Sequence, residues 1–260
     1  MMLLCGFRMR KSTFTKKYSY GVFLNVDASK IEKLKQYKLV VIDAQYFTKQ
    51  DIRMLHQSGV TVYTYFNLGS IENFREYYND YVSLTLKDYE NWEEEKWMDV
   101  SNIKWQKFMK KLATSFMKKD VDGFFVDNCD VYYQYRKDKI FQGITKILKE
   151  LKKTKKAVII NGGDTYIKQY RKKYGEIKEV MDGVNQETVF SSIDFQNNTF
   201  GEQEKEENSY FIEHLKKCKQ DGIKVYLLEY ATDPKLKKKI EKYCKISGYE
   251  YYIANSIELC

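Results

Sequence analysis

The feature that most constrains the fold of this chain is a repeated alternation of short apolar runs with lysine-rich amphipathic stretches. The runs are rich in β-branched and aromatic residues, which predicts strands, and the stretches between them predict helices. Eight strands are predicted: Tyr20–Val26, Leu39–Gln45, Thr61–Leu68, Gly123–Asp127, Ala157–Asn161, Gly183–Thr188, Lys224–Tyr230 and Tyr249–Asn255. Because strands that alternate with helices pair in parallel, the pattern indicates repeated βαβ units.

Glycine and proline mark the ends of several predicted helices. Gly59, Gly222 and Gly248 each precede a predicted strand and fit C-terminal caps, whereas Pro234 suits the first turn of a helix. The predicted helices are Ala28–Gln36, Lys49–Gln57, Asn102–Lys118, Lys139–Lys153, Ser209–Gln220 and Pro234–Ile246.

The number of units favours a closed barrel. A (β/α)8 barrel typically takes about 250 residues, and this chain has 260. The main alternative is an open doubly wound sheet, whose nucleotide-binding form needs a glycine-rich turn after the first strand, and residues 25–29 contain no glycine. We predict an α/β protein with a single-domain (β/α)8 TIM barrel in residues 20–260, preceded by a basic leader or disordered N-terminus in residues 1–19.

The first residues do not form a complete export signal. Met1–Phe7 is apolar and Arg8–Lys17 is basic, whereas a signal peptide carries its charges first and a longer apolar stretch after them. No apolar run is long enough to predict a membrane span. These patterns leave the localisation open.

The net charge of +9 arises from 45 Lys and Arg against 36 Asp and Glu, which raises the question of a nucleic-acid partner. The lysines concentrate at residues 146–156 and 235–245, within predicted helices and with few aromatic residues among them. Such runs are typical of solvated helix faces. We therefore predict no nucleic-acid partner.

Polar side chains gather at the C-terminal ends of the predicted strands, where a barrel enzyme holds its active site. They are Asp27, Asp43, Asn67, Asp127, Asp130, Asn161, Glu187 and Glu229. Side-chain alternation places Asp127 on the same face as Phe125. Helix capping is the alternative role for Asp27, Asp43 and Asp130, whereas glutamate is a poor cap and burying Glu187 or Glu229 is costly unless the carboxylate is paired or used.

Two converging carboxylates suit glycosidic cleavage, because one donates a proton to the leaving oxygen and the other attacks the anomeric carbon or activates water. The closeness of the two carboxyl groups, together with partial burial by tyrosine and tryptophan side chains, would make their pKa values differ. The aromatic side chains near strand ends or in the long loop before residue 122 either stack on sugar rings or pack internally. They are Tyr65, Trp97, Tyr132 and Tyr230.

Other chemistries have few candidate residues. The two histidines, His56 and His214, both fall in predicted helices, which disfavours a Ser-His-Asp triad or a histidine-rich metal site. The five cysteines include no CxxC pair, and Cys129 is interpreted as a packing thiol. No glycine-rich phosphate loop is present, so we predict no cofactor. A divalent metal held by Asp127, Asp130 and Glu187 remains an alternative for the same acidic cluster.

At these positions the sequence resembles glycoside hydrolase family 114, the endo-α-1,4-polygalactosaminidase-like barrels, including their uncharacterised bacterial branch. The resemblance extends over nearly the whole chain from Tyr20, and Gly123–Asp130 is its most specific motif. The other matching segments are Val40–Gln45, Tyr65–Ser70 with Glu72 and Arg75 following, Trp97–Asp99, Asn185–Glu187 and Leu228–Tyr230.

The resemblance implies a retaining glycosidase in which Asp127 and Glu187 are the catalytic pair, with Glu187 assigned as nucleophile and Asp127 as acid/base. It also implies an extracellular location and an α-linked, galactosamine-containing polysaccharide or oligosaccharide as substrate. The predicted substrate-binding residues are Asp43, Tyr65, Asn67, Trp97, Asp130, Asn161, Glu229 and Tyr230.

A carbohydrate-binding barrel without turnover is the alternative from another class. The carboxylate separation distinguishes the two, since retention expects about 5 to 5.5 Å and inversion roughly 6.5 to 9.5 Å. A much larger gap would favour binding. The sequence gives no indication of the oligomeric state.

Overall fold

The computed structural model describes residues 16–89 and 93–260 and contains an eight-stranded parallel barrel. Each barrel strand pairs with the next along the chain. β8 lies beside β1 and nearly closes the barrel, with the rings of Phe23 and Tyr252 5.2 Å apart. The strands are β1 (Tyr18–Phe23), β2 (Tyr37–Ile42), β3 (Thr61–Asn67), β4 (Gly123–Asp127), β5 (Ala157–Asn161), β6 (Gly183–Glu187), β7 (Lys224–Tyr230) and β8 (Glu250–Ala254).

The predicted barrel fold is confirmed, with small shifts at the strand ends. β1 begins at Tyr18, inside the segment predicted as a leader or disordered N-terminus. Residues 1–15 of that predicted segment lie outside the described residues.

Helices connect the barrel strands. Pro234 stands in the first turn of the last helix, and Gly59, Gly222 and Gly248 follow helices with positive φ, as predicted. The α-helices are Ile31–Leu34, Lys49–Gln57, Tyr78–Tyr81, Ile103–Lys118, Val131–Gln134, Asp138–Lys153, Asp164–Tyr174, Lys205–Gln220 and Pro234–Ser247.

The structure differs from the predicted helices chiefly at residues 28–36 and 164–174. The short helices Tyr78–Tyr81 and Val131–Gln134 were also not predicted, and the helix predicted from Ser209 begins at Lys205. The helix Asp164–Tyr174 was not predicted. It follows Gly162 and Gly163, both at positive φ, and begins without a side-chain cap, so the sequence carries no signal for its start. The predicted helix Ala28–Gln36 contains only a 3-10 turn and the short helix Ile31–Leu34.

Side-chain alternation divides the core into two layers. Phe125 and Ile159 pack inside the barrel with tyrosines from neighbouring strands. Phe124 and Val126 belong to the layer between the barrel and its helices. Phe125 therefore faces inward while its neighbours face outward, as alternation predicts.

Two excursions rise from the C-terminal ends of the strands and shape the site. Between β3 and Ile103–Lys118, three short antiparallel strands form a small sheet: Ser70–Glu72, Thr85–Asp88 and Glu95–Met98. After β6, Ser191–Asp194 pairs with Thr199–Glu202 as a hairpin. The Trp105 side chain fixes the first excursion, because its Nε1–H donates to the Leu68 carbonyl at 2.9 Å.

One helical glycine provides a test of the packing. A Cβ added at Gly143 would overlap with the Val100 carbonyl oxygen. Glycine to alanine inside a helix ordinarily stabilises by about 1 kcal/mol, but here we expect Gly143→Ala to destabilise by about 1–3 kcal/mol because of overpacking. Urea unfolding measures the change. The exposed Lys146→Ala in the same helix is the control, and an unchanged or more stable Gly143→Ala protein would contradict the described contact.

Candidate active site

One asparagine joins the two carboxylates predicted as catalytic. Asn161 Nδ2, at the end of β5, donates to Asp127 Oδ1 at 2.9 Å and to Glu187 Oε1 at 2.7 Å. The two oxygens therefore lie no further apart than the sum of these distances, 5.6 Å. Both acidic residues are only partly buried. The ends of β4, β5 and β6 thus bring an accessible carboxylate pair together.

A chain of hydrogen bonds fixes the orientation of the Asn161 amide. Asn185 Nδ2 donates to Asn161 Oδ1 at 2.7 Å, and the Tyr20 hydroxyl donates to Asn185 Oδ1 at 3.1 Å. Because its oxygen is occupied by a donor, Asn161 presents its NH2 group to the carboxylates. Asn185 and Tyr20 are buried inside the barrel. They were not predicted as site residues, since neither stands at the C-terminal end of its strand.

Two tyrosines contact the carboxylate pair. The Tyr230 hydroxyl donates to Glu187 Oε2 at 2.8 Å, and Tyr65 forms a side-chain hydrogen bond with Asp127. The Phe200 ring, from the hairpin after β6, packs 5.8 Å from that of Tyr230. Tyr65 and Tyr230 therefore act on the carboxylates directly, in addition to any contact with a ligand.

The two carboxyl groups have raised pKa values. Burial raises the pKa of Glu187 to about 6, assisted by the negative charge of Asp127 and opposed by the bonds from Asn161 and Tyr230. Burial also raises the pKa of Asp127, but the Asn161 amide, the Asn128 N–H and Tyr65 oppose the rise by stabilising the ionised form. Glu187 is therefore the carboxyl group that we expect to retain a proton nearer to neutral pH.

Asn128, directly after Asp127, stands in the left-handed region at φ 63°. Its Nδ2 donates to Asn67 Oδ1 at 3.1 Å and to Ser70 Oγ at 2.8 Å, and its Oδ1 accepts from the Tyr89 hydroxyl at 3.1 Å. These bonds hold an unfavourable backbone conformation beside the carboxylate. Asn67, predicted as a substrate contact, is buried and serves this network.

Trp97 supports the same network. Its ring stacks on that of Tyr89 with centroids 4.2 Å apart, and its side chain is buried. From its position in the long loop, Trp97 was predicted to contact the sugar. The structure instead places it behind Tyr89, away from an open surface.

Asp43, another predicted substrate contact, lies in a buried ion cluster. Arg75 Nη1 donates to Asp43 Oδ2 at 2.5 Å, while Arg75 Nε and Nη2 donate to Glu72 at 3.1 and 2.8 Å. The other Asp43 oxygen accepts the Gln45 N–H at 3.0 Å. Asp43 is 2% exposed, so it anchors the first excursion to β2 through Arg75 and does not face an open cleft.

Glu95 was not predicted from the sequence. Asn67 Nδ2 donates to Glu95 Oε1 at 3.3 Å. Burial raises the pKa of Glu95 to about 8, with further contributions from the negative charges of Glu72 and Asp127. Because Glu95 lies on an excursion strand and not at the end of a barrel strand, alternation and strand position gave no signal for it.

Asp130 adds a further carboxyl group next to Asp127. Its two oxygens accept the Gly163 N–H at 3.2 and 3.0 Å. Burial and the charge of Asp127 raise the pKa of Asp130 to about 7. Asp27, by contrast, accepts the Ser29 N–H as a helix cap, which was its alternative role.

Glu229 differs from its predicted role as a substrate contact. Its side chain is 0% exposed. The carboxylate accepts the N–H groups of Phe190 and Ser191 and the Ser191 hydroxyl, at 2.6 to 3.2 Å. It therefore anchors the hairpin after β6. The sequence predicted that Glu229 lies on β7, but it did not predict that the hairpin after β6 covers its side chain.

Within residues 16–89 and 93–260, no three His, Cys, Asp or Glu side chains are grouped so that they could hold a metal ion. No helix in these two ranges has the length and apolar character needed to cross a membrane.

Removal of the Tyr230 hydroxyl should raise the pKa of Glu187 above about 6, because its hydrogen bond stabilises the ionised carboxylate. The Tyr230→Phe variant tests this by a carbon-13 NMR titration of labelled glutamate, with Glu187→Gln used to assign the signal. Tyr226→Phe, toward the opposite end of the same strand, is the matched control. An unchanged Glu187 titration in Tyr230→Phe would show that the bond is not formed in solution.

Glu229 should make the protein less stable as the pH rises. Burial raises its pKa from 4.5 to about 7, so between these values the folded protein keeps a proton that the unfolded chain has released. The free energy of unfolding therefore falls with rising pH across this window. Thermal midpoints measured from pH 4.5 to 7.5 should decline less in Glu229→Gln than in the wild type, whereas the exposed Glu213→Gln should keep the wild-type slope. Equal slopes in all three would refute the shifted titration.

Comparisons with known proteins show the family and the fold of this chain. The family model described as Glycoside-hydrolase family GH114 matches residues 9–256. The glycoside hydrolase domain of PelA from Pseudomonas aeruginosa is similar in structure, with a TM-score of 0.79 and 16% identity over 93% of this chain and 95% of that chain. No curated protein matches the chain in sequence.

Two further solved structures have the same fold. Ega3 from Aspergillus fumigatus, in complex with galactosamine, has a TM-score of 0.72 and 16% identity, covering 94% of this chain and 93% of that chain. The α-galactosidase TtGalA from Thermus thermophilus has a TM-score of 0.58 and 9% identity, covering 92% of this chain and 58% of that chain. At such low identity these similarities show a shared barrel fold.

Proposed function

The chain belongs to glycoside hydrolase family GH114, and we propose that it cleaves an α-linked, galactosamine-containing polysaccharide with retention of configuration. Asp127 and Glu187 carry the chemistry. The observation that carries the proposal is that one amide, Asn161 Nδ2, donates to both carboxylates.

The spacing of the pair supports retention. Its nearest oxygens are at most 5.6 Å apart, whereas an inverting pair is separated by roughly 6.5 to 9.5 Å so that a water molecule fits beside the sugar. A retaining pair stands about 5 to 5.5 Å apart, because one carboxylate attacks the anomeric carbon directly. The large gap expected of a barrel that only binds carbohydrate is not found between these two residues.

The surroundings of the two carboxylates favour roles opposite to those assigned from the sequence. Asp127 accepts hydrogen bonds from Asn161, Asn128 and Tyr65, which favour its ionised form. Glu187 has a pKa of about 6 and retains a proton more readily. We assign Asp127 as the nucleophile and Glu187 as the acid/base.

The reaction then has two steps. Asp127 attacks the anomeric carbon while Glu187 donates its proton to the leaving glycosidic oxygen, which gives a glycosyl ester on Asp127. Glu187, now ionised, takes a proton from water as that water attacks the same carbon and releases Asp127. Asn161 contacts both carboxylates and keeps them in place through both steps.

The charge of the site supports an amino sugar as substrate. The chain carries +9 overall, yet acidic residues surround the pair, and Arg75 is already neutralised by Asp43 and Glu72. Burial and the negative charge of Asp127 raise the pKa values of Glu95 and Asp130 to about 8 and 7. Ammonium groups on a deacetylated sugar chain would relieve this repulsion, and galactosamine is the sugar bound in the Ega3 structure.

Asp127→Asn and Glu187→Gln should each lower hydrolysis of a partly deacetylated galactosamine polymer by about 10³-fold or more. The thermal midpoint should change little, because each substitution keeps the shape of the side chain and removes a charge that burial disfavours. Product analysis and calorimetry measure the two effects, with Glu213→Gln as control. Full activity in either variant would refute the assignment of the pair.

The same variants distinguish the two roles. An aryl glycoside with a good leaving group needs little protonation, so Glu187→Gln should keep much of its first-step rate on that substrate, whereas Asp127→Asn should lose it. The reverse pattern would restore the assignment made from the sequence. Proton NMR of the first product should show the anomer of the substrate, and the opposite anomer would exclude retention. Activity that exhaustive chelation abolishes would instead support the metal-dependent alternative.

A further inference from the structure

A cavity opens at the N-terminal end of the barrel, opposite the carboxylate pair. It has a volume of 460 Å³ and lies at the starts of β5, β6 and β7. Its floor includes the side chains of Tyr63, Ile159 and Tyr226 from the barrel interior. A volume of this size is typical of small-molecule sites, which span about 300 to 1,000 Å³.

Lysines surround this cavity. Only Lys152 is paired, with Asp182 at 2.5 Å. In the two described ranges of the chain, the other four have no carboxylate within ion-pair distance. The five lysines are Lys152, Lys155, Lys156, Lys178 and Lys224. The cavity thus carries an excess of positive charge that the protein itself does not neutralise.

The floor adds hydrogen-bond donors and apolar surface. The hydroxyls of Tyr63 and Tyr226 have no hydrogen-bond partner among the residues that the structure describes, although both side chains are largely buried. Burial raises the pKa of both phenols, so both remain protonated and able to donate. Their rings and Ile159 offer an apolar surface below the lysines.

We propose that this cavity binds a small organic diphosphate, with its phosphates among the lysines and its ring on the floor of Tyr63, Ile159 and Tyr226. Lysine ammonium groups bind phosphate as point charges, and the excess charge matches two linked phosphates. The acidic site at the other end would repel such a ligand, so this site is independent of the proposed hydrolysis.

Isothermal titration at low ionic strength with adenosine diphosphate, pyrophosphate and adenosine tests the proposal. Adenosine diphosphate should bind at least tenfold tighter than adenosine and tighter than pyrophosphate, and its affinity should fall as salt screens the lysines. The double variant Lys178→Ala/Lys224→Ala should weaken binding at least tenfold.

The control variant is Lys107→Ala/Lys111→Ala, which removes the same charge from the exposed face of Ile103–Lys118. It should bind adenosine diphosphate as the wild type does, and so should Asp127→Asn. No binding to the wild type, equal loss in both lysine pairs, or loss in Asp127→Asn would overturn the proposal. Circular dichroism of each variant establishes that it is folded.

Discussion

The structure of the site depends on a single amide whose two N–H groups point to two carboxylates. Like charges at this distance repel, and the repulsion grows as burial lowers the local dielectric. Asn161 offsets it without introducing a charge, because Asn185 donates to the Asn161 oxygen and leaves its NH2 group facing the carboxylates, while Tyr20 in turn donates to Asn185. The strand ends converge by barrel closure, but this buried network determines which atoms face each other. The geometry of the carboxylate pair is therefore supported from inside the barrel as well as from its rim.

The excursions are fixed to the barrel by buried polar groups of a different kind. Arg75 holds the first excursion to β2 through Asp43, and Glu229 holds the hairpin after β6 by accepting its backbone N–H groups. Such groups are costly to bury unless every donor and acceptor is satisfied. Here Arg75 is paired with Asp43 and Glu72, and Glu229 accepts hydrogen bonds from the segment that it anchors. The loops that shape the cleft are thus held by interactions that favour one position of the backbone.

Much of the barrel could be predicted from the sequence, because strand composition, glycine caps and Pro234 each act locally. The position of Asp127 and Glu187 followed from the strand ends, since parallel strands end at the same side of a barrel. The roles of Asp43, Trp97 and Glu229 could not be predicted, because they depend on which loop covers each side chain. Glu95 was missed for the same reason: the small sheet that carries it toward Asp127 is set by long-range pairing, and no local pattern records that pairing. The helix Asp164–Tyr174 was missed because two glycines precede it.

The two ends of the barrel differ in charge: carboxylates lie at the C-terminal mouth, and lysines without an ion-pair partner among the described residues lie at the N-terminal mouth. These two groups contribute an electric dipole along the barrel axis, in addition to the positive net charge. The electric field of a charged polymer therefore tends to rotate the protein before the two molecules make contact. Toward a cationic chain, the net charge slows the approach while the dipole turns the carboxylate mouth to face it, so that the encounters that do occur are already oriented. Added salt would weaken both effects together.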